Sequence, residues 1–363
     1  MTIDAYDHDY NENIDSRKKP RKKCCCSCGM CSLAVIVVLP IIIGVLFIVF
    51  SHKQVDRNRA NLFFNRFKVG GHRGVMGPAP ENSLDAFEMA FNAGADTVEL
   101  DVMLTKDKKA IIMHDDSTGR TADKDLIVAQ STISQIKELR LKDPSGNISP
   151  VTIPTFEEAL DFVKKHDLSV IIDVKDYSHE MVENIASAID SFSLCDRAIV
   201  SSFSPFMSYF IKKTNPHILT GITFRRWAQS TLTENDMERR HPLYINWLYS
   251  ILDTVLVYSI KWHILPSFLG TEMILANHLD ISPYHSPSST HPILLIALNS
   301  WSNPVEVALY LYELKVVSSS LLFFIPSLLH PHSQVPILTD RPDLLIPGVR
   351  SNVVLVDNNN NSR

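Results

Sequence analysis

Apolar strands that end in ionisable side chains recur along this chain, and they constrain its fold more than any other feature. The segment Thr97–Val102 alternates strictly, so Glu99 and Asp101 share one face of a strand while apolar residues occupy the other. The runs 110–115 and 170–175 also pass from apolar residues into ionisable ones. Each of these runs therefore predicts a buried strand with reactive groups at its end.

Helical patterns separate the strands. Apolar residues recur at helical spacing over 84–93, and helical stretches are also predicted over 155–166 and 179–191. Alternating strands and helices predict a parallel sheet. Because ionisable groups at the carboxyl ends of several strands are typical of a (β/α)8 TIM barrel, we predict that fold.

The paired carboxylates Glu99 and Asp101 indicate a cation site. Two carboxylates this close repel each other unless a cation or a proton lies between them, and a hard divalent cation is the simplest solution on an apolar strand. The alternative is a solvated edge strand with a polar outer face. The glycine-flanked pair His72-Arg73 suits a phosphate, since glycines allow close approach and arginine offers a planar fork of donors.

The N-terminal segment predicts a single membrane anchor. A polar, basic and cysteine-rich tail, 1–29, precedes an apolar run over 30–51 that is long enough to cross a hydrocarbon core. A cleaved signal peptide would have a shorter apolar region, so we expect an uncleaved transmembrane helix. The excess of basic residues before the run predicts a cytosolic N-terminus and a luminal or extracellular main domain, in the secretory pathway or at the plasma membrane.

Two kinds of covalent modification are expected with this topology. Cysteines beside a span and a basic run are typical of S-palmitoylation, with unmodified thiols as the alternative. The candidates are Cys24, Cys25, Cys26 and Cys28. Asn147 begins an Asn-Ile-Ser sequon in a polar loop and is a candidate glycosylation site.

Composition excludes two classes of protein. A net charge of −5, with a single short basic run, argues against a nucleic-acid partner. Five of the six cysteines lie in the N-terminal cluster, so the main domain cannot carry a disulfide framework.

The motifs GHRG, PENS, ELD, HD followed by Arg120, IDVK and Ser201-Ser202-Phe203 occur together in one order. In this combination the chain resembles the glycerophosphodiester phosphodiesterases, most closely their membrane-anchored animal branch. The resemblance places a TIM-barrel catalytic domain over 66–347 and a disordered tail over 348–363. It implies metal-dependent hydrolysis of glycerophosphodiesters, such as glycerophosphoinositol or glycerophospho-N-acylethanolamine, to sn-glycerol 3-phosphate and an alcohol. Lysophospholipid-type substrates belong to the same expectation.

The resemblance also implies a role for each site residue. His72 and His114 form the acid/base pair, and which of them is the acid stays open. Arg73 and Lys175 bind phosphate, with Glu81 and Asn82 supporting the site. Glu99, Asp101 and Asp173 bind a divalent cation, with Mg²⁺ expected and Ca²⁺ as the alternative.

Other readings of the chain stay open. It could be a phospholipase C-like enzyme that cleaves phosphoinositides, or a catalytically impaired membrane interaction protein. Segments 282–292 and 317–334 are atypical insertions. Their composition suggests that one or both are retained intron sequence or a gene-model error, with genuine Pro/Ser-rich loops as the alternative. Ile296 stands where the family has an aromatic residue.

The stretch 243–269 is apolar enough to span a membrane but contains Asp253 and Lys261. We therefore expect it to lean on the bilayer surface, with a buried helix pair as the alternative.

Overall fold

The computed structural model of the protein describes residues 27–75, 77–175, 177–232, 238–277, 293–298 and 337–339; for 27–36, 277, 293–298, 337 and 339 it describes the backbone alone. The chain forms two compact units, Met1–Phe50 and Ser51–Arg363. The predicted segments 282–292, 317–334 and 348–363 lie outside the described residues.

In the part of the first unit that the structure describes, the chain forms one helix, α1, which spans Ser27–Phe50. Its described side chains, Val37–Phe50, are apolar and nearly all exposed. The helix coincides with the segment 30–51 predicted as an anchor, and its crossing of a membrane stays a prediction. Cys28 lies in its first turn, and Cys24, Cys25 and Cys26 lie outside the described residues.

The described part of the second unit contains nine strands, all of them in one sheet. The strands are β1 Val69–Gly71, β2 Thr97–Leu104, β3 Ala110–Ile112, β4 Ser169–Val174, β5 Ala198–Ser201, β6 Leu219–Phe224, β7 Met273–Asn277, β8 Ile293–Leu298 and β9 Ile337–Thr339. Eight of them run parallel in the order β1-β2-β4-β5-β6-β7-β8-β9, and β9 pairs back onto β1. The strands therefore close into a TIM-barrel-like sheet of the predicted class.

Helices connect the strands. They are α2 Arg57–Phe64, α3 Leu84–Ala93, α4 Ile133–Lys137, α5 Phe156–Lys165, α6 His179–Phe192, α7 Pro205–Thr214, α8 Leu243–Lys261 and α9 Ile264–Leu269, with a 3₁₀ turn at Val128–Gln130. The three predicted helices correspond to α3, α5 and α6.

Local sequence fixes the ends of these helices. Ser83 begins α3 by accepting a hydrogen bond from the Ala86 N–H, and Gly94 ends it in the left-handed conformation with φ 95°. Thr155 and Glu158 form the capping box that begins α5. Because the caps stop each helix at a defined residue, the following strand enters the sheet in a fixed register.

One strand differs from the parallel arrangement expected of the strand–helix alternation. β3 runs antiparallel to β2, with Met103 opposite Ile111. The turn Thr105–Lys109 is too short for the crossover that a parallel strand requires, and it reverses the chain through Lys108 at φ 60°. His114 therefore enters the site from a hairpin appended to the barrel.

The face of the barrel at the amino ends of its strands is closed by α2. Phe63 of α2, together with Phe67, packs against strand residues such as Ile171, Leu219 and Met273. This packing extends the compact unit to the N-terminal side of the predicted boundary at residue 66. The opposite face, at the carboxyl ends of the strands, stays available for a site.

Helix α8 is the one described helix that is long and apolar enough to cross a membrane by length and composition. Only 11% of its most apolar 18-residue segment is buried. The predicted stretch 243–269 is broken at His263, which has φ 57° and separates α8 from α9. The alternative of a buried helix pair is wrong for α8, because most of its apolar side chains are exposed.

Candidate active site

Three carboxylates converge at the carboxyl ends of neighbouring strands. Asp101 of β2 lies directly opposite Asp173 of β4 in the parallel register, and Glu99 precedes Asp101 on the same face. One ligand oxygen from each of the three lies within 4.8 Å of the others. All three are buried, with no more than 4% of any residue exposed, so the predicted alternative of a solvated edge strand is wrong.

Two cations face these carboxylates. Lys175 Nζ lies 2.9 Å from Asp101 Oδ1 and 2.5 Å from Asp173 Oδ2. Arg73 Nε lies 3.1 Å from Asp101 Oδ2, and the Arg73 backbone N–H donates to Glu99 Oε2 at 2.9 Å. Among the described residues, three buried carboxylates are thus matched by two permanent positive charges, which leaves one negative charge.

The pKa values reflect this imbalance. Burial, together with repulsion from Asp101, raises the pKa of Glu99 to about 7. Burial also opposes ionisation of Asp101, but Lys175 and Arg73 hold its pKa well below the ordinary value. The same two aspartates overcome the burial of Lys175 and raise its pKa. Glu99 is therefore the carboxylate whose charge the protein alone does not neutralise.

The donor set fits a divalent cation. Hard cations such as Mg²⁺ and Ca²⁺ take oxygen ligands, and three carboxylate oxygens converge here. An added positive charge would also remove the repulsion between Glu99 and Asp101. The residues predicted as metal ligands are therefore brought together, and the identity of the ion stays open between the two.

The loop after β1 supports this cluster through its backbone. Gly74 has φ 88°, and a Cβ at this position would lie 2.6 Å from the backbone carbon of Ala86 in α3. The loop can therefore pack on α3 only with glycine at position 74. The same turn carries His72, whose Nε2 lies 3.9 Å from Glu99 Oε2, with only 13% of its side chain exposed.

Asn82 holds Asp101 in place. Its Nδ2 donates to Asp101 Oδ2 at 2.7 Å, and its Oδ1 accepts from the Asp101 backbone N–H at 3.2 Å. Asn82 has φ 55°, a conformation that asparagine tolerates better than most residues. The residue is thus a positioning group for the central carboxylate, and Ser83 rather than Asn82 caps α3.

A chain of charged contacts holds His114. Its Nδ1 lies 2.6 Å from Asp115 Oδ1, and Arg120 Nε donates to the other oxygen of Asp115. Arg120 also donates twice to Glu81, which accepts in turn from Arg73. With Asp115 accepting at Nδ1, the Nε2 atom of His114 is left for proton exchange.

Burial lowers the pKa of His114 below its ordinary value, against the opposing effect of Asp101. Burial also opposes the ionisation of Asp115, but Arg120 keeps its pKa low. At neutral pH the dyad is therefore a neutral imidazole on an ionised carboxylate, which fixes the ring tautomer.

Sequence reasoning missed three groups in this site. Asp115 and Arg120 were visible as part of a motif, but only the fold shows that they link His114 to Glu81. Thr223 of β6 donates to Asp173 Oδ1 at 3.1 Å and contacts the Ser201 hydroxyl at 2.8 Å. Thr223 carries no sequence signal, since a threonine in a strand is ordinary.

The predicted glycosylation site lies apart from this cluster. Asn147 is exposed in the turn Asp143–Ser149, and its backbone N–H and side chain both donate to Asp143. Its accessibility is compatible with modification, which stays a prediction.

Comparison with known proteins finds one family. Residues 72–252 match the glycerophosphoryl diester phosphodiesterase family. Glycerophosphodiester phosphodiesterase 1 of Homo sapiens is 30% identical over 233 residues, which cover 61% of this chain and 69% of the human protein. A glycerophosphodiester phosphodiesterase of Caldanaerobacter subterraneus is 31% identical over 187 residues, covering 49% of this chain and 76% of the bacterial protein.

Solved structures share the fold. A phosphodiesterase from Oleispira antarctica, determined in complex with its product sn-glycerol-3-phosphate, superposes with a TM-score of 0.56 at 19% identity. The alignment covers 79% of this chain and 98% of that protein.

Proposed function

The chain belongs to the glycerophosphodiester phosphodiesterase family, and from this premise we propose that it cleaves glycerophosphodiesters to sn-glycerol 3-phosphate and an alcohol, using a divalent cation and two histidines. The observation that carries this proposal is the buried cluster Glu99, Asp101 and Asp173 with Arg73 and Lys175 against it. With a divalent cation bound, this cluster would carry one net positive charge, which suits an anionic phosphodiester better than a neutral substrate.

The three carboxylates would hold the cation, with Mg²⁺ as the first candidate. When bound, a divalent ion would polarise a phosphoryl oxygen and offset the negative charge that develops in the transition state. Such an ion would stabilise the ionised form of Glu99 most, because the pKa of about 7 reflects a negative charge that the protein itself does not compensate. Asn82 keeps Asp101 oriented whether or not the ion is bound.

Arg73 and Lys175 would bind the phosphate. Their side chains are 13% and 19% exposed, so both are shielded but reachable from the mouth of the barrel. Both are held in place by carboxylates, Arg73 through Glu81 and Lys175 through Asp173. Charge-assisted donors fixed in this way stabilise added negative charge without reorganising.

His72 and His114 would exchange the two protons of the reaction. Water attacks phosphorus and gives a proton to one imidazole, the bond from phosphorus to the alcohol oxygen breaks, and the other imidazole protonates that oxygen. The neutral form and fixed tautomer of His114 support such a role, as does the nearness of both rings to Asp101. The product named in the Oleispira antarctica structure supports sn-glycerol 3-phosphate as the shared product. Glycerophosphoinositol, glycerophospho-N-acylethanolamine and related lysophospholipid-type compounds are the substrates we propose.

The protein would act at a membrane of the secretory pathway or the cell surface. In this proposal α1 is a single-pass anchor with a cytosolic N-terminus, the barrel is luminal or extracellular, and Asn147 is glycosylated. Palmitoylation at Cys24, Cys25, Cys26 or Cys28 would add a second attachment.

Release of sn-glycerol 3-phosphate from glycerophosphoinositol tests the catalytic proposal. The full chain is assayed with Mg²⁺, with Ca²⁺, with chelator, and as His114→Ala. Turnover that requires both the ion and His114 is expected. A cyclic inositol phosphate as product would instead identify the phospholipase C-like reaction, and absence of turnover from folded, metal-loaded protein would leave the chain as a membrane interaction protein.

A further inference from the structure

In α8 the side that carries polar residues faces the barrel, and the apolar side faces outward. Its buried residues are Asn246, Asp253 and Ile260, spaced by seven, so a narrow and partly polar stripe faces the barrel. Asp253 accepts three hydrogen bonds there, from the Gln229 N–H at 3.0 Å, the Ser230 N–H at 2.9 Å and the Ser230 hydroxyl at 2.6 Å. The one acidic side chain of α8 is thus hydrogen-bonded to the segment that follows β6.

The outward side of α8 is apolar. We call this the outer face and define it by six side chains that are 49–80% exposed: Tyr244, Trp247, Leu248, Ile251, Val255 and Tyr258. They recur at helical spacing of three and four and form one continuous stripe. The charged residues of α8 are Asp253, which is buried, and Lys261 at its last position. A contiguous apolar face of this kind marks an interaction surface.

The order of side chains along the outer face suits a lipid interface. Aromatic residues stand at both ends, with Tyr244 and Trp247 near the start and Tyr258 and the 70% exposed Trp262 near the end. Aliphatic residues fill the middle. Tryptophan and tyrosine prefer the headgroup level of a bilayer, and a helix with one apolar face lies in the plane of that interface.

The predicted anchor α1 directly precedes, in sequence, a segment of the barrel unit that packs on α9, and this favours a bilayer over other partners. Phe50 ends α1, and two residues later the His52 N–H donates to the Phe268 carbonyl of α9 at 2.9 Å. The His52 ring packs edge-on to Tyr209 at 4.5 Å, and Gln54 Nε2 donates to the Thr271 carbonyl at 2.5 Å. The second unit therefore begins with residues held at the corner where α8 passes into α9, and one residue, Ser51, separates them in sequence from α1.

We propose that the outer face of α8 lies flat in the interfacial layer of a lipid bilayer, as a second attachment beside α1. A membrane-spanning orientation of α8 is disfavoured because it would separate the Asp253 carboxylate from its three hydrogen-bond donors. The start of α8 is connected to the end of β6, where Thr223 contacts Asp173. The side of the barrel formed by β6 and β7, which packs against Ile260 of α8, would then lie next to the bilayer. The inference concerns a surface away from the catalytic groups and is independent of the proposed reaction.

Tryptophan fluorescence tests this placement. The chain has four tryptophans, and replacing Trp227, Trp247, Trp262 and Trp301 by phenylalanine gives a background for single probes. Three full-length chains are reconstituted in phosphatidylcholine vesicles: one that retains Trp247, one with Val255→Trp in mid-helix, and the control Phe91→Trp. Phe91 lies on α3, which connects β1 and β2 across the barrel from α8, and is exposed. The lipids carry bromine near the headgroup end or near the methyl end of the acyl chain.

We expect Trp247 and Val255→Trp to lose about half of their fluorescence to the shallow bromine and less to the deep one, with no loss for Phe91→Trp. Equal shallow depth of the two α8 probes is the signature of a flat helix. Quenching of Val255→Trp mainly by the deep bromine would mean that α8 spans, and absence of quenching would mean that it contacts no lipid. Either result overturns the proposal, as does equal quenching of the control.

A second measurement uses the unaltered full chain, in case the substitutions prevent folding. A phosphatidylcholine with a photoreactive acyl chain should label peptides of 243–262 and spare those of 84–93. Labelling confined to α1 would refute the inference. Hydrolysis of glycerophosphoinositol, measured on the same samples, reports the catalytic proposal separately.

Discussion

Replacing Asp115 with alanine tests the chain of contacts that holds His114. The Asp115 carboxylate accepts from His114 Nδ1 at 2.6 Å and from Arg120 on its other oxygen. A hydrogen bond to a charged partner contributes about 1.5–3 kcal/mol. If Asp115 makes this hydrogen bond in the transition state, where His114 carries the transferred proton, loss of the bond lowers kcat/KM by about 10- to 150-fold. His114 itself stays in place, because it directly follows the β3 hairpin.

The pH profile separates a positioning role from loss of structure. Asp115 raises the pKa of His114, against the larger lowering caused by burial. Without Asp115 the pKa of His114 falls further, so the limb of the kcat/KM profile that reports His114 moves to lower pH. Asp116→Ala is the matched control, since it removes the same functional group at the next, exposed position. An Asp115→Ala enzyme with wild-type kcat/KM and an unmoved limb would refute this account of His114.

Three further predictions concern the frame of the site. Gly74→Ala should abolish activity, because its Cβ would lie 2.6 Å from the Ala86 backbone; activity assays and circular dichroism check this, and a fully active variant contradicts it. Lys212→Met should lower the free energy of unfolding by about 3–5 kcal/mol by stranding the buried Glu272 carboxylate, 2.6 Å from Lys212 Nζ. Adding Glu272→Gln should restore most of that stability in denaturant titrations, and no restoration would mean that lost packing dominates. Mg²⁺ affinity, measured calorimetrically, should rise about tenfold per pH unit below 7 as Glu99 ionises, and a flat pH dependence would exclude Glu99 as a ligand.

Most of the front half of the barrel could be predicted from the sequence, because local sequence patterns mark most of the strands and helices there. Strict alternation in β2 fixes which face carries Glu99 and Asp101, and a capping box marks the start of α5. The parallel register then brings Asp173 opposite Asp101 without further information. Local pattern and global fold agree in this region, and the candidate site follows from them.

Other features depend on tertiary contacts that no local pattern contains. The reversal of β3 depends on a turn length. The contact of Thr223 in β6 with Asp173 in β4 depends on the two strands lying on either side of β5 in the ring. The orientation of α8 could not be predicted either. Its residues are apolar on most sides, and only the hydrogen bonds of Asp253 determine which side faces inward.

The closure of the barrel has a consequence for the order of events during synthesis. β1, which carries His72 at its end, pairs on one side with β2 and on the other with β9, formed by Ile337–Thr339. At a typical 5–20 residues per second, the ribosome makes β9 on the order of ten seconds or more after β1. Once Thr223 has been made, every described site residue has been translated, but one edge of β1 still has no strand beside it until β9 follows. The nascent enzyme should therefore be inactive, with an open sheet edge that chaperones can bind, until the last strand arrives.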